Sequence, residues 1–314
     1  MLTDLLILGL AAALDAAFGE PPRPLHPVVW MGKAISLLER LAPRASPPRE
    51  FVYGLGMAII VTVVAGGVAA VAVAAARGVS AVAYVIVGAL LLKGVSAVRE
   101  LAASAERVRA SLAAGDLEGA RNAVRAIVGR ETAQLAPEMV ASAAVESVAE
   151  NSTDAFIGPW LYFALFGVPG AVIYRAINTL DSMVGHRGRY EWLGKASAML
   201  DTAANLVPAR LTGLLIVAAS VVAGCDGRGA WRVMWRDHGV TASPNAGWTM
   251  SAMAGALGVR LEKVGHYALG PSVEGRPPRP DDIRSATRIM WVAATLGLLI
   301  ALGMAAALRA LATG

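Results

Sequence analysis

Long runs of uncharged, apolar residues constrain this chain more than any other feature. Residues 51–76 contain no charged residue, and neither do residues 289–308. A helix needs about 20 apolar residues to cross the hydrocarbon core of a bilayer. Hydrophobic residues make up 56% of the chain and charged residues 16%, whereas soluble proteins lie nearer to about 45–50% and 25%. The sequence therefore predicts an all-α, polytopic integral membrane helical bundle with helical cytoplasmic loops.

Several apolar segments compete for the role of membrane span, so we expect four to six spans. The segment 78–92 is short, and we expect Arg77 and Lys93 at its ends to snorkel toward the membrane surfaces. The segment 2–18 lacks the basic start of a secretory signal and is kept as part of the mature protein. One integral membrane domain over 1–314 is the simplest organisation, with apolar segments at about 2–18, 51–76, 78–92, 155–174, 202–225 and 289–308.

The net charge of +5 lies mainly in the polar segments between these spans. Lys and Arg number five in 19–50, seven in 93–154 and nine in 226–288. The positive-inside rule predicts that these three segments are cytoplasmic, in a bacterial inner membrane. No basic run is interleaved with aromatic residues, which argues against nucleic-acid binding. The single cysteine, Cys225, excludes a disulfide framework and a cysteine-ligated metal cluster.

The segment 155–174 combines an apolar composition with residues that interrupt helices. It contains Gly158-Pro159 and Gly167-Val-Pro-Gly170. We predict that these residues break it into a re-entrant or tilted pair that does not cross the membrane fully. Pro208 would then mark a second broken element in 202–225. This arrangement would keep the polar motif at 175–190 on the cytoplasmic side, where the active site is expected.

An acidic helix end directly precedes that segment. Glu146 and Glu150 are four residues apart and share one face of a helix, and Asn151 and Asp154 follow. Clustered acids beside a membrane-type segment repel one another and lose hydration unless a cation or ligand compensates them. The alternative is a solvated helix end whose acids face water.

Polar residues recur in a second constellation, at 174–190. Helical spacing places Arg175, Asn178 and Asp181 on one face, and His186 and Arg187 follow a glycine break. Arginine guanidinium groups donate paired hydrogen bonds that suit phosphate groups.

Three weaker groups of polar residues complete the candidates. Asp201 is followed by Asn205 and Arg210, Ser243-Pro-Asn245 forms a polar turn, and His26 lies in a proline-rich turn. Each of these is more often structural when it occurs alone. Residues 95–128 read as a scaffold helical hairpin. Walker A, Rossmann, HExxH and GxSxG motifs are absent from the sequence.

Taken together and in this order, the motifs resemble one family, the adenosylcobinamide-phosphate synthases of cobalamin biosynthesis, called CbiB or CobD. The family commonly has a pair of aspartates where this chain has Leu200-Asp-Thr202, so a role that needs two acids rests there on Asp201 alone. The segments that carry the resemblance are Leu14-Asp15, Gly19-Glu-Pro, Leu25-His-Pro27, Glu146-Ser-Val-Ala-Glu-Asn151, Asp154, Tyr174-Arg-Ala-Ile-Asn-Thr-Leu-Asp-Ser-Met-Val-Gly185, Pro208-Ala-Arg210 and Ser243-Pro-Asn-Ala-Gly247.

The resemblance implies an ATP-dependent amide ligase. It would join adenosylcobyric acid to an aminoalcohol phosphate, (R)-1-aminopropan-2-ol O-phosphate or its ethanolamine relative, and release adenosylcobinamide phosphate. The cofactors would be ATP and Mg²⁺, and the further partners would be membrane lipid and other membrane enzymes of cobalamin assembly. Carboxylates at Glu146, Glu150, Asp154 and Asp181 could bind Mg²⁺. Further catalytic candidates are Asn151 and Asn178, and substrate or phosphate candidates are His26, Arg175, His186, Arg187, Arg210, Ser243 and Asn245.

Two other classes remain as alternatives. A secondary transporter also carries broken helices and acids near the membrane midplane. A different membrane transferase could use an acid cluster on a nucleotide-alcohol substrate, although the usual paired-aspartate spacing is absent. Formation of an amide with consumption of ATP would distinguish the ligase from both.

Overall fold

The computed structural model describes residues 2–43, 46–186, 188–271 and 275–313. Nearly all of its regular structure is helical. A 3₁₀ turn lies at Arg23–Leu25, a π-helical turn at Thr153–Ile157, and an antiparallel hairpin joins β1 (Leu261–Lys263) to β2 (Tyr267–Leu269). The helices are α1 (Leu2–Phe18), α2 (Pro27–Arg40), α3 (Pro47–Val79), α4 (Ala81–Lys93), α5 (Val98–Ala113), α6 (Leu117–Arg125), α7 (Pro137–Ser152), α8 (Gly158–Val184), α9 (Lys195–Ala204), α10 (Leu206–Val222), α11 (Gly227–Asp237), α12 (Ala246–Leu257) and α13 (Pro280–Thr313).

Four helical segments of the described chain are long and apolar enough to cross a membrane. They are Pro47–Val79, Ala81–Ala113, Pro137–Val184 and Pro280–Leu311. A fifth results if the bent pair formed by α9 and α10 is one span. Apolar side chains on α3 remain exposed, as lipid-facing residues do. The all-α polytopic class with broken helices is therefore confirmed, at four to five spans.

Of the predicted breaks, the one in Gly167-Val-Pro-Gly170 is confirmed, whereas those at Gly158-Pro159 and Pro208 are not. The chain stays helical at Gly158-Pro159, because a proline is tolerated in the first turn of a helix. The interruption is at Gly167, whose φ of 70° and ψ of −164° are not helical. Pro208 likewise lies in the first turn of α10, so the second break falls before it, at Asn205. That the segment 155–174 fails to cross the membrane stays a prediction.

Lys93 does not snorkel. Only 6% of the residue is exposed, and its Nζ lies 4.0 Å from Oδ1 of Asp15, which is also buried. A buried cation needs an opposite charge because it has lost its hydration. The expectation for Lys93 was wrong because the partner lies in a distant part of the sequence.

The chain forms two compact units that interleave in sequence. One unit comprises residues 1–97, 158–205 and 298–314, and the other comprises 98–157 and 206–297. In the first unit α3 packs on α8 and α9. In the second, α5 and α6 pack on each other and on α7, while α11 packs on α12. The prediction of a single integral domain stays a prediction.

Candidate functional site

One face of α7 and the π-helical turn after it carry the acidic motif. Pro137 begins the helix, and the residues from Val140 to Ala149 are buried. Residues three and four apart share a helix face. Glu146, Glu150 and Asp154 lie on the same wall of a cavity of about 260 Å³. Asp154 belongs to the π-helical turn, a rare structure that occurs frequently at functional sites.

The other walls come from two separate segments of the same unit. The loop after α6 contributes residues 127–130, including Arg130, and the β-hairpin contributes Lys263 and Tyr267. Lys263 and Tyr267 are directly opposite each other in the hairpin register. The cavity is therefore lined by acids from α7 and by two cations from the loop and the hairpin.

Glu146 connects these three elements. Its carboxylate accepts hydrogen bonds from Ser142 Oγ at 2.7 Å and Tyr267 OH at 2.9 Å, and it lies 3.3 Å from Arg130 Nη2. The backbone N–H of Glu262 donates to Ser142 Oγ at 2.9 Å, which adds a second link between the hairpin and α7. Only 5% of Glu146 is exposed. Its contacts suit a residue that holds the walls in place.

The pKa of the Tyr267 phenol is raised above its ordinary value. Burial is the largest cause, and the neighbouring Glu146 carboxylate adds to it. Both effects disfavour the phenolate. Tyr267 therefore remains protonated at neutral pH and donates its hydrogen bond to Glu146.

Asn151 is oriented by its neighbour one turn earlier. Its Nδ2 donates to the backbone oxygen and to Oγ of Ser147, each at 2.9 Å. Ser147 Oγ in turn donates to the backbone oxygen of Ile127 at 2.7 Å. The Asn151 amide nitrogen is thus used in hydrogen bonds to Ser147 of the same helix. Its amide oxygen is the group that can accept a hydrogen bond from a ligand in the cavity.

Glu150 and Asp154 are the other two acids that line the cavity. Glu150 is exposed and Asp154 is half-buried. Within the described ranges, no three His, Cys, Asp or Glu side chains form a group that could hold a metal ion. Mg²⁺ commonly binds one or two carboxylates together with substrate phosphates and water. Glu150 and Asp154 provide that smaller set. The metal roles of Glu146 and Asp181 stay predictions.

The second constellation forms a hydrogen-bonded network in the other unit. Arg175 Nη1 donates to Asn178 Oδ1 at 3.4 Å, and Asn178 Nδ2 donates to Asp201 Oδ1 at 3.5 Å. Asn205 Nδ2 donates to Asp201 Oδ2 at 3.1 Å, and Asn205 Oδ1 accepts from Tyr174 OH at 2.6 Å. The sequence grouped Arg175 and Asn178 with Asp181, whereas in the network Asn178 bonds to Asp201.

The remaining candidates of that unit have local contacts. Exposed His186 bonds through Nε2 to the backbone oxygen of Ser182 at 2.9 Å, and Arg187 lies outside the described residues. His26 caps α2 by accepting from the Val28 N–H at 3.2 Å, and its ring pairs with Glu20. The catalytic or binding roles assigned to these residues stay predictions.

Arg210 and Asn245 come together although 35 positions separate them. Arg210 Nη1 donates to Asn245 Oδ1 at 3.0 Å, and its guanidinium lies 5.1 Å from the centre of the Trp248 ring. Ser243 Oγ accepts from the N–H groups of Asn245 and Ala246 at 3.3 Å, at the start of α12. The polar turn is therefore ordered by its own hydroxyl group.

Sequence reasoning missed Arg130, Lys263 and Tyr267. Arg130 was counted only as a loop charge, and the hairpin was not predicted. Tyr267 lies 121 positions from Glu146, so no local spacing links the two residues. The sole signal was that the segment 226–288 is rich in basic residues.

Comparisons with known proteins agree on one family. A family model described as CobD/Cbib protein matches residues 8–290. Cobalamin biosynthesis protein CobD of Dehalococcoides mccartyi (strain CBDB1) is 43% identical over 300 residues, which cover 96% of this chain and 97% of the relative. The protein of that name from Geobacter metallireducens is 44% identical over 298 residues, 93% of each chain. The CobD protein from Klebsiella pneumoniae is 40% identical over 305 residues, 94% of this chain and 95% of the relative.

No solved structure matches the chain. With a match over most of its length and relatives above 40% identity, the chain belongs to the CobD/CbiB family.

Proposed function

We propose that this protein catalyses ATP-dependent amide formation in cobalamin biosynthesis. It would join the free carboxylate of adenosylcobyric acid to the amine of (R)-1-aminopropan-2-ol O-phosphate or its ethanolamine relative and release adenosylcobinamide phosphate. The observation that carries the proposal is the α7 cavity, where Glu150 and Asp154 face a space also lined by Arg130 and Lys263. The names of the family relatives support the pathway.

The cavity suits the phosphate end of a substrate better than a whole substrate. Sites for drug-sized ligands usually have volumes of about 300–1,000 Å³, and this cavity measures about 260 Å³. A nucleotide base or a corrinoid ring would have to lie outside it. Arg130 and Lys263 would bind phosphate oxygens through charge-assisted hydrogen bonds.

The donor set also fits Mg²⁺ bound together with a phosphate. Glu150 and Asp154 would hold the ion, and the Asn151 oxygen would accept from a coordinated water or from substrate. Glu146 would keep Arg130 and Tyr267 in place. ATP would supply the phosphoryl or adenylyl group that activates the substrate carboxylate, with ADP or pyrophosphate leaving, and the amine would then displace phosphate or AMP. The incoming ammonium must lose a proton before it attacks, and a cavity carboxylate would accept that proton.

The other two clusters are candidates for the remaining substrate groups. Arg210 with Asn245 offers a guanidinium beside an amide, and Arg175 with Asn178 offers the same pair. Such pairs suit a phosphate or the amide-rich periphery of a corrinoid. We propose the inner membrane as the location, with the active site on the cytoplasmic side because the basic segments around the cavity are expected there.

The test is reconstitution with defined substrates. Full-length protein in nanodiscs would be given ATP, Mg²⁺, adenosylcobyric acid and the aminoalcohol phosphate. Mass spectrometry should detect the amide product, with one ATP consumed per amide formed and ADP or AMP released. Omission of any one component should abolish the product. If the complete mixture consumed no ATP and gave no amide, the proposal would be rejected.

A secondary transporter is the alternative, favoured by the break at Gly167 and by the bent pair of α9 and α10. It predicts uptake of a corrinoid or aminoalcohol phosphate into proteoliposomes without covalent change. The same preparation can be assayed for flux and for amide, so the two functions are separable.

A further inference from the structure

The outward face of α11 is rich in tryptophan and arginine. Trp231 and Trp235 are each 48% exposed, and their ring centres are 5.5 Å apart. Arg228 and Arg232 are exposed and lie on the same side, because residues three and four apart share a helix face. Tryptophan is enriched at membrane–water interfaces, where its ring lies at the level of the lipid headgroups, and a neighbouring arginine can extend its charged group to the same level.

Packing on α12 fixes this orientation of α11. Ala230, Val233 and Met234 are buried on the opposite face. Gly229 and Gly255 let the two helix backbones approach closely, since a Cβ at either glycine would collide with the backbone of the other helix. The tryptophan and arginine face therefore remains outward.

An apolar groove runs along this face. It has a volume of about 820 Å³, and Val217 and Val221 of α10 form its floor with the two tryptophans. Val221 is 66% exposed and the neighbouring Val222 is 69% exposed. Exposed apolar surface of this kind marks a site for an apolar partner. Because α10 belongs to the bent pair that could form a fifth span, a lipid acyl chain is within reach of the groove.

The charge at the rim selects the type of lipid. Arg236 is bonded to Asp237 at 2.6 Å and to the backbone oxygen of Pro271 at 3.1 Å. Within the part of the chain that the structure describes, Arg228 and Arg232 have no hydrogen-bond or ion-pair partner, and no acid is among the groove-lining residues. A positively charged rim, formed by Arg228 and Arg232, above an apolar floor complements an anionic amphiphile.

We propose that this groove binds one anionic phospholipid. Its phosphate would lie between Arg228 and Arg232, and one acyl chain would lie along Val217 and Val221. The nine Lys and Arg residues in 226–288 predict that the groove faces the cytoplasmic leaflet of the membrane, whose surface is anionic. The amide-rich periphery of a corrinoid would lack hydrogen-bond partners on this floor, so a lipid is the better fit.

Native mass spectrometry of the delipidated full-length protein tests the proposal. Titration with phosphatidylglycerol and with phosphatidylcholine of the same acyl chains should show tighter binding of phosphatidylglycerol. The double variant Arg228→Gln/Arg232→Gln should bind phosphatidylglycerol roughly thirtyfold more weakly, because each arginine near an anionic surface contributes about fivefold. Phosphatidylcholine binding should change by less than twofold.

The matched control is Arg284→Gln/Arg288→Gln on α13. It removes the same charge at the same spacing from two exposed residues, and phosphatidylglycerol binding should remain within twofold of the wild type. Val221→Asn should weaken the binding of both phosphatidylglycerol and phosphatidylcholine. Neither glycerol 3-phosphate nor inorganic phosphate should displace either lipid. Equal losses in the two arginine pairs would reduce the site to general surface charge and overturn the proposal.

Two further outcomes would also overturn it. Displacement of phosphatidylglycerol by glycerol 3-phosphate would assign the arginines to a free phosphate. A photoreactive benzoylphenylalanine at position 231 that labelled a protein instead of lipid in native membranes would assign the groove to a protein partner. None of these results depends on amide formation, so the groove and the proposed reaction are tested separately.

Discussion

Two clusters of polar residues, one in each compact unit, show how differently the same residue types can be used. In the α7 cavity, Glu150 and Asp154 line an open space together with Arg130 and Lys263. In the network around Asp201, both carboxylate oxygens accept amide hydrogen bonds, from Asn178 and Asn205. The first arrangement leaves charge of both signs facing a space, whereas the second directs its hydrogen-bonding groups at one another.

A dense polar motif does not by itself indicate a ligand site. A buried amide or carboxylate needs hydrogen-bond partners whatever its function, because desolvation without a partner costs free energy. A site for phosphate and Mg²⁺ needs in addition a space with charged groups on more than one wall. We therefore expect substitutions in the cavity to change substrate binding and turnover strongly, and substitutions in the network to change them less.

The largest expected effect is that of Glu150→Gln. Loss of the carboxylate removes a proposed ligand for Mg²⁺, and we expect the rate of amide formation to fall by about 100-fold or more at saturating ATP, since removal of one electrostatic stabiliser costs about 10²–10³. The measurement is single-turnover amide formation as Mg²⁺ is varied.

Glu138→Gln is the control, because Glu138 is an exposed residue in the first turn of the same helix. It should keep the wild-type rate. If Glu150→Gln retained half of the wild-type rate at saturating Mg²⁺, the assignment of the metal to this cavity would be wrong.

Next in size is Lys263→Met. The methionine keeps most of the side-chain volume but cannot bind phosphate. A hydrogen bond to a charged group is worth about 1.5–3 kcal/mol, so we expect the KM for ATP or for the aminoalcohol phosphate to rise by roughly 10- to 100-fold. Steady-state kinetics with each substrate varied in turn identifies which phosphate Lys263 binds. Exposed Lys33→Met provides the control, and unchanged KM values for both substrates would remove Lys263 from the site.

A smaller effect is expected for Arg175→Lys. Lysine keeps the positive charge but loses the paired donors of the guanidinium. Arg175 already donates a hydrogen bond to Asn178. We therefore expect its replacement to cost no more than a neutral hydrogen bond, which is worth about 1 kcal/mol. The KM for a phosphate-bearing substrate should then rise by only about threefold to fivefold. Kinetics measured beside Lys263→Met makes the comparison direct. A larger rise for Arg175→Lys than for Lys263→Met would reverse the distinction between the two clusters.

The smallest effect on turnover is expected for Asp201→Asn. Asparagine places an NH₂ group where an oxygen accepts from an amide, so one donor loses its acceptor. We expect the free energy of unfolding to fall by about 1–2 kcal/mol while the rate stays within twofold of the wild type. Thermal unfolding in detergent and the amide assay measure the two quantities.

Asp281→Asn is the control for Asp201→Asn, because Asp281 has an exposed side chain and a long ion pair of 3.8 Å with Arg284. A tenfold loss of rate in Asp201→Asn with unchanged stability would place Asp201 in the reaction itself.

Several features followed from local sequence. The acids at 146, 150 and 154 share a wall of one cavity, as helical periodicity requires. The contact between Asp201 and Asn205 also lies within a single helical turn. The break in α8 falls at Gly167, within the Gly-Val-Pro-Gly sequence, because glycine adopts a positive φ without steric cost.

Other predictions failed where a distant partner decided the outcome. Lys93 is buried because Asp15 lies beside it, and neither charge alone indicates the other. Gly158 interrupts nothing and instead leaves room for the Tyr174 ring. The residue type at a position is known from the sequence, but the residue that it will contact in the folded protein is not.

The membrane class, the helical periodicity and the family could be predicted from the residues alone, because these depend on local composition and on ordered motifs. Which charges meet depends on how the chain folds. Arg130 and Lys263 reach the acidic face of α7 through a loop and a hairpin, and Glu146 is drawn from the acidic motif to hold Tyr267 and Arg130. Contacts between residues more than 100 positions apart leave no periodic trace in the chain, since they depend on how separate elements pack rather than on spacing along one of them.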